Sequence, residues 1–94
     1  MLTHNEISKA VEYVASKFPV KQASYFGSYA EGRQTDNSDL DILFEFHKPA
    51  VSLFMLSEIK NNLEDMLKVS VDIIHAPISK ESLIEIGEVV QVYG

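Results

Sequence analysis

Cysteine is absent from the 94 residues, which excludes a disulfide framework and a thiolate metal site and leaves no sign of an oxidising compartment. Basic residues are scarce: eight Lys and Arg stand against fourteen Asp and Glu, a net charge of −6. Non-specific attraction to nucleic acid comes mostly from Lys and Arg at phosphates. This balance argues against a direct nucleic-acid partner, and any phosphate chemistry must recruit a cation or a few local donors. Long apolar runs are missing as well. None approaches the ~18 residues of a membrane span, and "MLTHNEISKA" lacks the charged-then-apolar pattern of a signal peptide. The expected location is cytoplasmic, with no membrane partner. No internal repeat, low-complexity stretch or linker interrupts the chain. With 46% apolar residues, a single domain over 1–94 is expected, near the lower limit for a core built without staples.

What is present follows clear periods. Thr3 and Glu6 have capping-box spacing, and Ile7, Ala10, Val11, Val14 and Phe18 recur at helical intervals up to Pro19, which predicts a helix over about 4–17. "VKQASYF" (20–26) reads as a strand stopped by Gly27, and "TDNS" (35–38, with Asp36) as a turn. "DLDILFEF" (39–46) alternates as a second strand before Pro49. From about 52 to 68, Leu53, Leu56, Ile59, Leu63, Met66 and Leu67 form one apolar stripe, expected to be core. Glu58, Lys60, Asn61, Glu64 and Asp65 take the other face of that helix. "VSVDIIHA" (69–76) is a β-branched strand closed by Pro77. Ser79 is placed to cap a last helix with Leu83, Ile86 and Val89, and "VVQVYG" to end as a short edge strand. The expected class is α/β (α+β): a small mixed sheet with helices packed on it.

The chemistry is concentrated in a few positions. Side chains two apart on a strand share a face, so Asp39 and Asp41 are aimed together while Leu40 and Ile42 face a core. At roughly 6 Å and an effective dielectric near 20, two such charges repel by on the order of 3 kcal/mol. A hard divalent cation reverses that sign, and magnesium takes one or two carboxylates plus substrate phosphates. Upstream, Gly27 permits a sharp turn and close approach to a ligand, and Ser28 offers a hydroxyl where a short helix, "SYAEG", opens its N–H groups to anions. Asp72 is a further carboxylate inside an apolar strand. If that strand lies beside the second, three carboxylates converge as a two-metal phosphoryl-type transfer requires, the third holding or deprotonating the attacking hydroxyl.

Gly-Ser, ten residues, Asp-x-Asp and a later Asp in an apolar strand resemble the DNA polymerase β-type nucleotidyltransferase superfamily. Length and element order resemble its minimal nucleotidyltransferases, prokaryotic proteins that commonly act as antitoxins beside a HEPN-domain ribonuclease toxin. The resemblance covers about residues 20–93. It implies a polymerase β-like nucleotidyltransferase core, ATP as substrate and two magnesium ions. By matching position, Gly27 and Ser28 would bind the triphosphate, Asp39 and Asp41 would ligate both ions, and Asp72 would complete one metal site near the acceptor. The pattern "GSxARG" of the family becomes GSYAEG here, with Glu31 in place of Arg; Arg33 is the residue placed to substitute for it on the triphosphate.

The implied activity is protein adenylylation: AMP moves from Mg-ATP to a hydroxyl, a tyrosine of a HEPN toxin partner. One alternative is a binding module that masks its toxin by contact alone. Another is a small-molecule nucleotidyltransferase, for which a homodimer would supply the missing acceptor wall. Other polar residues read more plainly. Glu45 shares the parity of Asp39 and Asp41 but lies at the far end of its strand, as a solvated edge. His4, His47 and His75 lack ligand spacing, and His75 has the parity opposite to Asp72. Ser28 doubles as a helix cap, and Tyr25 and Tyr29 are candidates to stack on a base, Tyr25 equally to pack in the sheet.

Overall fold

The structure is a computed structural model that describes residues 3–33, 35, 39–48, 50–75 and 88–94. The first helix, α1, runs His4–Lys17, as its periodicity predicts. Thr3 opens it: Oγ1 accepts the Glu6 N–H at 3.2 Å and donates to Glu6 Oε1 at 3.3 Å, satisfying an N–H that the first turn leaves without a helical partner. The helix stops at Phe18, because the residue before a proline is pushed into extended backbone. Strand β1 (Val20–Phe26) follows and breaks at Gly27, and the chain turns at once into a single helical turn, α2 (Ser28–Glu31). Then come β2 (Leu40–Phe46), α3 (Leu53–Leu67), β3 (Val71–His75) and β4 (Val89–Tyr93). Ser52 caps α3, its hydroxyl accepting the Met55 N–H at 3.0 Å. Among the described residues, no helix is long and apolar enough to cross a membrane.

The four strands form one sheet in the order β3-β2-β1-β4. β1 is antiparallel to β2 and β4, and β2 is parallel to β3. A parallel pair cannot be joined by a tight turn; α3 is the crossover that returns the chain to the start of β3. Helices α1 and α3 pack on each other and on the sheet through Ile7, Val11, Val14, Ile59 and Leu63. β2 records this one-sided packing. Leu40, Ile42, Phe44 and Phe46 are buried, while Asp41, Leu43 and Glu45 between them are only half-buried. Each fully buried side chain of this size contributes about 1.5–3 kcal/mol, so alternate residues of one strand anchor the fold and the rest are released for other work.

Two expectations are corrected. The apolar stripe of α3 is buried at Ile59, Leu63 and Leu67, with Leu56 half-buried against the core; Leu53 is 82% exposed and Met66 45%. At 3.6 residues per turn, Leu53 and Met66 are rotated about 80° and 60° to either side of Leu63, off the strip that meets the sheet. Val89 belongs to β4 rather than to a last helix: it pairs with Phe26, and the β-branched run Val89–Val90 takes the hydrogen-bonding edge that β1 offers. The edge strand over "VVQVY" is thus borne out. The expected helix over Ser79, Leu83 and Ile86, and the turn at Asp36, lie outside the described residues.

Lys68 ends α3 in the left-handed region, φ 60° and ψ 33°, with its N–H donating to the Glu64 carbonyl at 2.8 Å. A side chain there costs on the order of 1 kcal/mol that glycine avoids. Lys68→Gly is therefore expected to raise the melting temperature by a few degrees in a thermal melt, with the fold unchanged.

Candidate active site

The half-buried face of the sheet carries the polar residues in register. Across the strands, Val89, Phe26, Asp41 and Asp72 form one row, and Gln91, Ser24, Leu43 and Ile74 the next. The condition on which Asp72 joins the site is met: β3 lies beside β2, in parallel, and Asp72 is directly opposite Asp41. The two side chains face each other across neighbouring strands. Burial, then the charge of Asp72, then that of Asp39, raise the Asp41 carboxyl above its ordinary 3.8. A carboxyl crowded by two other carboxylates gives up its proton less readily, and a bound cation would offset that repulsion.

Asp39 stands just before β2, exposed, and acts on Asp41 through its charge. Three carboxylates do not close on a single point: among the described residues, no group of three His, Cys, Asp or Glu side chains is arranged to hold a metal. Asp41 and Asp72 make the close pair. That donor set fits magnesium, which needs only one or two protein carboxylates when phosphates supply the rest.

Gly27 brings the turn against this pair. A Cβ built on it would lie 2.7 Å from Asp41 Oδ2, so the carboxylate occupies the space that any side chain would take. Its φ of 77° and ψ of −147° belong to a region essentially closed to other residues. The Gly27 carbonyl accepts the N–H groups of Ala30 and Glu31, both at 3.1 Å, and so starts α2. Gly27 is the residue before the helix, with no side-chain cap bond, so Ser28 is the first helical residue and not a cap. Among the described residues its hydroxyl makes no hydrogen bond.

A cleft of about 620 Å³ contains both carboxylates, walled by Phe26, Leu56 and Ile74 with Lys60 at its side. Sequence reasoning missed these wall residues, since a Phe at a strand end and a Lys on a polar helix face carry no signal of their own. Other candidates stand apart. Arg33 is 70% exposed and paired with Glu31 at 2.9 Å. Glu45 pairs with Lys21 at 3.2 Å, in keeping with a solvated edge. His75 meets the Phe46 ring edge-on, 5.2 Å between centroids, away from the carboxylates as its parity predicts. Tyr25 and Tyr29 are buried in the core, which withdraws both rings from stacking on a base. The Tyr25 hydroxyl is 2.9 Å from His4 Nδ1, and burial raises its phenol above the ordinary value.

A family model described as a nucleotidyltransferase domain matches residues 7–91. MJ0126 of Methanocaldococcus jannaschii, a proposed protein adenylyltransferase, is 39% identical over 84 residues, which cover 84% of this chain and 85% of that protein. Among solved structures, a chain of a toxin–antitoxin complex with AMP-PNP superposes with a TM-score of 0.78 at 24% identity, covering 99% of this chain and 74% of its own. A chain from the complex of a tri-AMPylated Shewanella oneidensis HEPN toxin with its MNT antitoxin does so with a TM-score of 0.73 at 17% identity, covering 98% and 73%. At these identities the two structures establish the fold.

Proposed function

The chain belongs to the nucleotidyltransferase domain family, in its minimal form, and we propose that it transfers AMP from Mg-ATP to a hydroxyl of a partner protein, a tyrosine of a HEPN-domain toxin, in the cytoplasm. The observation that carries this reading is the parallel register that sets Asp72 opposite Asp41, both lining one cleft, with Gly27 packed against Asp41. In the reaction the acceptor oxygen bonds to the α-phosphorus, the bond from that phosphorus to the bridging oxygen breaks, and pyrophosphate leaves. Asp41 and Asp72, with Asp39 beside them, would hold magnesium, two ions in the full reading, which neutralises the phosphates and the departing pyrophosphate. Asp72, the more exposed of the pair, takes the proton of the incoming hydroxyl. Ser28 donates its hydroxyl to the triphosphate, a bond to a charged acceptor worth about 1.5–3 kcal/mol. Arg33 leaves Glu31 for the phosphates at little cost, since an exposed ion pair is worth about 0.2–1 kcal/mol.

The test is intact-mass spectrometry of the partner toxin co-expressed with this protein. One or more AMP increments on the toxin are expected, and none with the Asp41→Asn variant. A toxin that is fully neutralised yet carries no adduct with any of the four nucleotides would make the protein a module that acts by contact alone.

A further inference from the structure

Glu64 lies on the face of α3 that reads as solvated, yet it is half-buried and doubly engaged. Its carbonyl accepts the Lys68 N–H at 2.8 Å, and its Oε2 accepts the Val71 N–H at 2.9 Å. One residue thus holds both ends of the link from α3 to β3. From the other side, the Ser70 carbonyl accepts the Leu40 N–H at 2.8 Å. These contacts fix the first residue of β3, buried Val71, opposite Leu40, and the next step along the register is the Asp41–Asp72 pair. A slip of one residue would turn Asp72 to the helix-packed face. Among the described residues β3 is at the end of the sheet order, so no described strand on its outer side supplies an acceptor for the Val71 N–H; Glu64 does.

On the functional reading above, we propose that Glu64 is a positioning residue that holds Asp72 in place through the backbone of Val71. It touches neither nucleotide nor metal. What matters is an acceptor oxygen at the right reach, and the charge is incidental. Glu64→Gln keeps such an oxygen, while Glu64→Asp keeps the charge and falls short by one methylene.

The experiment uses the full chain with Mn²⁺-ATP as probe, followed by calorimetry, together with amide exchange at Val71 and thermal melts. Relative to wild type, Glu64→Asp and Glu64→Ala are expected to weaken Mn²⁺-ATP binding by about tenfold or more, the scale for losing a group that orients a metal ligand, and to speed Val71 exchange. Glu64→Gln is expected to match wild type in both. Wild-type protein that binds no Mn²⁺-ATP overturns the functional reading. Wild type that binds it while folded Glu64→Asp binds equally well overturns the role of Glu64, as does Glu64→Gln impaired to the level of Glu64→Asp. If Glu64→Ala does not fold, the Asp and Gln variants decide.

Discussion

Asp41→Asn is expected to abolish transfer and yet to raise the melting temperature of the metal-free protein. The shift of the Asp41 carboxyl sets the sign. Because burial and the charges of Asp72 and Asp39 raise it above 3.8 in the folded chain, the folded state binds this proton more tightly than the unfolded state. Stability from this group is present in full below 3.8 and is lost as pH rises through the higher folded value. At neutral pH the ionised side chain therefore costs stability, and asparagine keeps its shape without its charge. Melts in EDTA at neutral pH should show the variant a few degrees above wild type, given about 4–8 °C per kcal/mol in a domain this small. The gap should close as pH falls toward 3.8. Mg²⁺-ATP should raise wild type by linkage and leave the variant nearly unmoved. Transfer should fall by at least about 100-fold, the scale for removing one charge-stabilising group. A variant that melts lower in EDTA would show Asp41 to be a structural residue rather than half of a cation clamp.

Gly27→Ala is expected to remove activity and stability together. Its Cβ would stand 2.7 Å from Asp41 Oδ2, a distance at which one of the two must move. The backbone there is closed to alanine, at a cost of about 1–3 kcal/mol. If the backbone holds, Asp41 swings away from Asp72; if Asp41 holds, the turn that presents Ser28 opens. Gly32→Ala separates strain from contact, because Gly32 also has a positive φ, 72°, but its Cβ would meet nothing within 4 Å. That variant should lose on the order of 1 kcal/mol and keep its transfer rate. Equal activity in the two alanine variants would show that the Gly27–Asp41 contact has no part in the chemistry.

Much of this was legible in the sequence, because periodicity reports burial directly. α1, β1, β2 and α3 are found within a residue of their expected bounds, since each has a one-sided apolar pattern ended by Pro, Gly or a cap. The pairing of Asp41 with Asp72 was legible only as a condition: parity places each carboxylate on a face, but no local signal says which strands are neighbours. Leu53 and Met66 were misjudged because a stripe drawn on one helix does not say how wide a strip the sheet will meet. Val89 fits both the last helix and the edge strand in the sequence, because one valine suits either period, and the open edge of β1 decides between them. Glu64 looked like solvent-facing charge, since a side chain that reaches for a backbone N–H seven residues on leaves no trace in any pattern.

The alternation along β2 separates two kinds of selection within seven consecutive residues. Its even positions, Leu40, Ile42, Phe44 and Phe46, answer to folding and abundance; among its odd positions, Asp41 is free of the core and lines the cleft. The two histories can diverge. On the proposed function, a descendant that replaced Asp41 would lose catalysis without loosening its core, and with one repelling charge removed it would be the sturdier protein. A lineage of this kind can thus shed its chemistry in a single step and persist as a binder of the same partner.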